Sequence, residues 1–328
     1  MRVLIAGGTG FIGQRLTIDA IRKGWEVHLL SREPEKSPAL SLADLGAKVV
    51  KADLTEADRV HEVFSELRPS LYFHNAGWYE LGIPESKREK MSSINVGGLI
   101  NALDAARRND VQKIVVTSST TALGDTGGRI VDESFERQAK PNSWYEKTIY
   151  EAHNVVLSRI ESGMPIVMGS PAQVIGPGDH SVFGMMLRLF LRRLLPPTLW
   201  APEGTFSFVH VDDVANGLMR IMEDGQIGEN YFMAGSLMNN REMIAFWKAQ
   251  TGRPFPVAWM PRPVAMILGY LTAPLLRIAG QPALISPEVV RSSYASFKYS
   301  DEKIRTDLGL SVRSAEEAWA DTITSVNG

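Results

Sequence analysis

Short apolar runs alternate with amphipathic stretches of helical period through the first half of the chain. The runs Val3 to Ala6, Glu26 to Leu30, Ala47 to Ala52, Leu71 to His74 and Lys113 to Val116 have the length and β-branched content of buried strands. Between them, Ile12 to Arg22, Glu56 to Leu67 with Thr55 as N-cap, about Ser86 to Asn109, and Trp144 to Ile160 carry apolar residues at spacings of three and four. Strand and helix in strict alternation predict an α/β fold: a doubly wound parallel sheet with helices on both faces, the Rossmann arrangement.

The pattern then changes. Phe183 to Leu195 is rich in methionine and leucine and stops at Pro196-Pro197, and Pro254 to Ile285 is dense in Pro, Trp, Ile and Leu. We therefore expect a dinucleotide-binding domain over 1–170, rejoined by a return segment at 206–233, and a smaller, mainly helical C-terminal substrate domain over most of 171–328. Pro263 to Leu276 has no charge but is too short for a confident membrane span, so a buried helix is favoured over peripheral membrane contact. No repeat, low-complexity tract or flexible linker divides the halves.

Composition narrows the function classes. Net charge is −2 with a pI near 6.3, and without a basic run there is no expectation of nucleic acid. The absence of cysteine excludes disulfides, thiolate nucleophiles and thiolate metal sites. With the first strand at residue 3 there is no room for an export signal, and a cytoplasmic location is expected. His210, Asp212 and Asp213 lack further ligands to complete a metal site, and we expect one of the two aspartates to cap a helix starting near Val214. No serine stands in a GxSxG turn, so acyl transfer has no support.

The glycine turn carries the first positive signal. Gly7, Gly10 and Gly13 lie between strand and helix within Gly7-Gly8-Thr9-Gly10-Phe11-Ile12-Gly13, where the backbone can approach a pyrophosphate and free helical N–H groups face its charge. At the second strand's end, Ser31-Arg32 leaves room and charge for a ribose 2′-phosphate, which predicts NADP(H) over NAD(H). Asp53 ends the third strand, placed to bind the adenine amino group or to cap a helix. Asn75-Ala76-Gly77 would let the backbone pass the cofactor, and Trp78 and Tyr79 either flank a substrate or simply pack. Thr117-Ser118-Ser119-Thr120-Thr121 is a hydrogen-bonding cluster or a set of turn residues, and Tyr145 opens the helix beyond it.

Taken in order, these motifs resemble the extended short-chain dehydrogenase/reductase family, the NAD(P)-dependent epimerases and dehydratases. The segments PAQVIGPGD from Pro171 and FVHVDDVA from Phe208 extend the resemblance to Ala215, and the tail segments GQPALISPEVV and DEKIRTDLGL are more loosely similar to the dihydroflavonol reductase and 3β-hydroxysteroid dehydrogenase branch. The resemblance implies that Ser119 binds the substrate oxygen and Tyr145 exchanges the proton with it. It also implies cofactor contacts from Thr9, Phe11, Ile12, Leu54, Thr117, Pro171 and Val174, and substrate contacts from Trp78, Tyr79, Thr120 and Gln173.

One position departs from the family pattern: four residues after Tyr145, where the family carries lysine, stands Ile149. Lys147 points about 200° around the helix from Tyr145 and cannot deputise, and His153 lies about 12 Å of rise away. Without that cation Tyr145 should titrate near the free value of about 10 and stay a phenol, the form that protonates an alkoxide. The expectation is a slow NADP-dependent oxidoreductase reducing the carbonyl of an apolar or ring-bearing small molecule. The alternatives are a nucleotide-sugar epimerase or dehydratase, and a non-catalytic NAD(P)-binding sensor or scaffold. A homodimer is the assembly to test.

Overall fold

The computed structural model describes residues 1–255, 257–278 and 285–327; Pro256 and the part of the loosely matching tail from Gly280 to Leu284 lie outside them. The first half runs β1 (Arg2–Ala6), α1 (Phe11–Arg22), β2 (Glu26–Ser31), α2 (Ala39–Asp44), β3 (Lys48–Lys51), α3 (Ala57–Leu67) and β4 (Leu71–His74). A compound helix comes next: a 3-10 turn at Glu85–Lys87, α4 (Arg88–Ser92), a π-helical turn at Ser93–Gly97 and α5 (Gly98–Arg108). Then come β5 (Lys113–Thr117), a 3-10 turn at Thr120–Ala122, α6 (Trp144–Glu161) and β6 (Ile166–Pro171). The second half comprises β7 (Gln173–Ile175), α7 (Val182–Leu191), β8 (Thr198–Trp200), β9 (Thr205–His210), α8 (Val211–Asp224), β10 (Asn230–Met233), β11 (Ser236–Asn239), α9 (Asn240–Thr251), β12 (Ala258–Met260), α10 (Arg262–Ile278), α11 (Pro287–Ser293), α12 (Glu302–Leu308) and α13 (Ala315–Asn327).

Seven strands form a parallel sheet in the order β10-β6-β5-β4-β1-β2-β3. Alternation along β1 shows why it needs cover on both faces. Val3 and Ile5 join the apolar side chains of α1, α8 and α12, whereas Leu4 and Ala6 join those of α3 and α5. The sheet is doubly wound, with a C-terminal part that is largely helical. A further core gathers Phe206 and Phe208 of β9, Trp247 of α9 and Trp319 of α13 beside a three-stranded sheet, β11-β9-β7, and a two-stranded one, β12-β8. The 206–233 segment divides between these layers: β9 lies in the three-stranded sheet, and β10 forms the edge of the seven-stranded one.

Several local expectations are corrected. The helix over Ser86 to Asn109 is interrupted by the π-helical turn, from which Asn95 bonds to Trp78 in the loop after β4. Thr55 does not cap α3: its N–H and hydroxyl both donate to Asp53, and Glu56 occupies the cap position without a side-chain bond. Helix α8 starts at Val211, capped by His210, which accepts from the Asp212 N–H, while Asp213 accepts from the Arg313 backbone. The uncharged run Pro263 to Leu276 is helical as α10, but one whole face of it is exposed.

Candidate active site

The carboxyl ends of β1, β4 and β5 open onto a cleft of about 290 Å³, closed from the other side by α6. This edge is where a doubly wound sheet collects ligands. Its floor is the glycine turn. Gly7 sits at φ +77, and a Cβ there would meet the Asn75 carbonyl oxygen at 2.3 Å. A Cβ on Gly13 would meet the Gly7 oxygen at 2.0 Å, so both positions exclude every other residue type. Helix α1 begins at Phe11 behind Gly10 with no side-chain cap, leaving its first N–H groups to face the cleft. Gly10, Phe11 and Ile12 line the wall there, and Thr9 gives its carbonyl to Gln14.

These features suit a dinucleotide pyrophosphate, and a second observation agrees. The Thr117 hydroxyl lines the cleft, is buried, and has no hydrogen-bond partner among the described residues, a cost that a ligand hydroxyl would remove. Asn75, Ala76 and Gly77 continue the same wall. At the far end of the sheet, Arg32, Lys51 and Arg59 line an open depression of about 520 Å³ together with Asp53 and Glu56, Arg59 also donating to the Lys51 carbonyl and to Glu62. Ser31 accepts from the Glu33 N–H there. Lys51 and Arg59 were not singled out from sequence, because their convergence with Arg32 depends on the β2–β3 pairing.

The hydroxyl cluster divides by direction. Ser119 lines the cleft and accepts from the Thr121 N–H at 3.2 Å, which occupies a lone pair and leaves its proton to donate. Thr120, expected to contact substrate, is instead buried, its carbonyl taken by the Tyr299 hydroxyl at 3.0 Å; Thr121 faces a small cavity in its place. Tyr145 stands opposite Ser119, its ring packed edge-on against that of half-exposed Tyr79 at 4.9 Å. Burial pushes the Tyr145 phenol above its ordinary range, and not merely to it, so the phenol form persists well past neutral pH.

Beyond Tyr145 the wall of α6 is Ile149, Ala152, His153 and Val156. Lys147 is turned away: its ammonium sits over the Trp144 ring at 4.2 Å and pairs with Glu151 at 3.6 Å. His153 is the residue sequence reasoning passed over. It shares a 3.0 Å hydrogen bond with Ser118, and its only advance signal was a spacing of two helical turns from Tyr145. Burial holds His153 down to about 4, and buried His74, bonded to Tyr72 at 2.7 Å, likewise to about 4. Both imidazoles are neutral at pH 7, so the cleft's proton-carrying groups are uncharged.

Two contacts hold this arrangement. Asn95, on the π-helical turn, accepts from the Trp78 N–H at 2.7 Å and donates to the Trp78 carbonyl at 3.1 Å and the Thr148 hydroxyl at 3.0 Å, tying the loop after β4 to α6. The Arg137–Glu146 ion pair is almost wholly buried, and Arg137 also donates to the Thr121 and Ala122 carbonyls, tying the turn after Ser119 to the start of α6.

Three cavities succeed one another away from the β1 edge. Tyr79 and Tyr145 also line a small cavity of about 80 Å³, together with Gln173, and Phe183, Phe206 and Val289 of its wall belong as well to a cavity of about 550 Å³ between α7, α9, α10 and α11. Among the described residues that large cavity is lined mainly by Met, Leu, Ile, Phe and Trp side chains, with Thr198, Asn240 and Ser293 and no charged one. Pro171 is the buried last residue of β6, Val174 packs into the main core and Leu54 against Gly98; none of the three lines these cavities.

The sequence profile of the NAD dependent epimerase/dehydratase family matches residues 3–234. A putative dihydroflavonol 4-reductase of Synechocystis sp. is 28% identical over 331 residues, covering 97% of this chain and 92% of that one. A 3β-hydroxysteroid dehydrogenase/Δ5→4-isomerase of Mycobacterium tuberculosis is 25% identical, covering 94% and 85%. Among solved structures, that of a Thermus thermophilus UDP-glucose 4-epimerase in complex with NAD superposes with a TM-score of 0.77 at 22% identity, covering 100% of this chain and 99% of that one.

Replacing Arg137 by Met strands a buried carboxylate and should cost about 3–5 kcal/mol in urea unfolding, much of it recovered when Glu146→Leu is added. A second expectation concerns acid. Because His74 and His153 titrate lower folded than unfolded, the unfolded chain binds more protons between about pH 6.5 and 4, and stability falls as pH falls through that window. At pH 5 each should contribute roughly 2 kcal/mol of loss, read as a falling melting temperature whose slope His153→Gln reduces.

Proposed function

For a chain that belongs to the NAD dependent epimerase/dehydratase family and is an NAD(P)-dependent oxidoreductase of the extended short-chain type, we propose that it uses NADP(H) to reduce the carbonyl of an apolar or ring-bearing small molecule. The observation that carries this reading is the 550 Å³ cavity, without a charged side chain among the described residues, which shares wall residues with the small cavity beside Tyr145. A nucleotide diphosphate would need cations there. Arg188, Arg262 and Arg291 are engaged elsewhere, with the Asp179 carbonyl, the Tyr294 ring and the Pro287 carbonyl. The named activities of the Synechocystis and mycobacterial relatives, on a dihydroflavonol and a steroid, agree in substrate character.

The glycine turn and the α1 N-terminus would hold the pyrophosphate, Thr117 a ribose hydroxyl, and Arg32 with Lys51 and Arg59 a 2′-phosphate. When bound, the nicotinamide supplies the hydride. The chain supplies the rest: Ser119, its lone pair occupied by Thr121, donates to the carbonyl oxygen, and Tyr145, kept a phenol by burial, gives that oxygen its proton. Alcohol oxidation needs a phenolate, which burial opposes and which Ile149 does nothing to favour. Reduction is therefore the favoured direction, and it is slow. That same isoleucine supports a second reading, a dinucleotide-binding sensor without turnover.

Titration of the protein with NADPH and NADH should give tighter binding of NADPH, with Arg32→Ala weakening NADPH roughly ten- to a hundredfold and leaving NADH unchanged. Equal or tighter NADH binding would overturn the cofactor assignment. Ile149→Lys should raise ketone reduction at least tenfold, within the roughly 10² to 10⁴ that acid catalysis contributes. No gain across a panel of apolar ketones and alcohols would favour the sensor.

A further inference from the structure

Helix α10 has three faces. Ala265, Gly269 and Ala273 are buried and seat the helix directly on the start of α11, where a Cβ on Gly269 would meet the backbone of Ser286 and Pro287 at 3.0 Å. Beside that seat, Leu268 and Leu276 line the large apolar cavity, and the Thr272 hydroxyl turns inward to the Leu268 and Ile285 carbonyls. Val264, Ile267, Leu271, Leu275 and Ile278 fall within about 80° of arc at 100° per residue and look outward, between 50% and 84% exposed. Tyr270, 61% exposed, is the one polar side chain accompanying them between Arg262 and Arg277. A contiguous apolar stripe of this kind marks an interaction surface.

We propose that this face of α10 docks on an anionic phospholipid bilayer, the helix lying in the plane of the headgroups. Charge selects that partner. Helix α10 carries Arg262 and Arg277 and no aspartate or glutamate, in a chain whose overall charge is −2. Arg262, which lies over the Tyr294 ring, and Arg277, whose Nε donates to the Gly82 carbonyl at 3.1 Å, are exposed at the two ends of the stripe, and their remaining N–H groups would meet phosphates there while the residues between them enter the acyl boundary. A second copy docked face to face would bring the same cations together. Crossing the bilayer is not the geometry, since no helix among the described residues is long and apolar enough. Tyr270 has the amphipathic ring that settles at headgroup level.

Docking in this way sets Leu268, at the border of the stripe, between hydrocarbon and the large cavity, so an apolar ligand would exchange between the two without crossing water. That consequence rests on the reading of the cavity as a substrate site; the docking itself does not.

The test is flotation of the full-length protein with vesicles of equal parts phosphatidylcholine and phosphatidylglycerol, and with phosphatidylcholine alone. The expected result is co-flotation with the anionic vesicles, several-fold weaker in high salt or with phosphatidylcholine alone. The pair Leu271→Glu and Leu275→Glu, both outside the cavity wall, should lower the partition coefficient at least roughly tenfold while thermal melting and NADPH binding match wild type. Wild-type protein left unbound by both vesicle types would overturn the proposal, and so would a double variant that floats as wild type does. A vesicle-free dimer that the same variant splits into monomers would assign the face to a second copy instead. Failure of ketone reduction, with flotation intact, would fall on the functional reading alone.

Discussion

The candidate site depends on one buried ion pair. Arg137 and Glu146 are both almost fully removed from water, and each has further partners: Arg137 holds the Thr121 and Ala122 carbonyls, and Glu146 accepts from the Asn142 N–H at 2.6 Å. Ser143 caps the same helix by accepting from the Glu146 N–H. Such a pair is a weak source of net stability but a strong source of uniqueness, because any arrangement that separates its members leaves a charge unsolvated. Here it ties the turn that follows Ser119 to the start of the helix that carries Tyr145. Two segments with a long loop between them are brought to one register by a contact that touches neither side chain directly.

Around that frame the cleft is electrically quiet. Tyr145, His74 and His153 are all held in their neutral forms by burial, and the helix face that a lysine would charge presents Ile149. The positive charge is displaced to the far end of the sheet, around Arg32, Lys51 and Arg59. On the proposed reading, electrostatic capture of a dinucleotide and proton transfer would fall at separate places along the carboxyl edge of the sheet. A neutral acid beside an apolar wall suits an uncharged carbonyl compound better than an anionic one.

How much of this was legible in the sequence depends on how local each signal is. The strands β1 to β5 and the glycine turn announce themselves because apolar runs and a Gly7-Gly10-Gly13 spacing are constraints on neighbouring residues. Ser119 and Tyr145 come from the resemblance, and the structure brings them to one cleft. Arg137 carried no signal in the sequence because its pairing with Glu146 depends on how the intervening loop folds back, and the π-helical turn carried none because the Asn95 bonds to Trp78 are not local. The caps expected at Thr55 and at Asp212 or Asp213 failed for a smaller reason: other side chains compete, Asp53 taking the Thr55 N–H and hydroxyl and His210 taking the helix's cap position. Composition marked Pro263 to Leu276 as apolar but could not say which side of the protein it would face.

The π-helical turn at Ser93–Gly97 also sets the phase of the helix beyond it. A wide turn holds one residue more than an α-turn, and one residue corresponds to about 100° of rotation. Leu99, Ala102, Leu103 and Ala106 reach the core under the sheet in that rotated phase. Deleting one residue from the turn would restore an ordinary α-helix and swing this whole face off the sheet. An insertion or deletion in this segment would therefore rotate the helix beyond it, along a stretch whose length could otherwise vary.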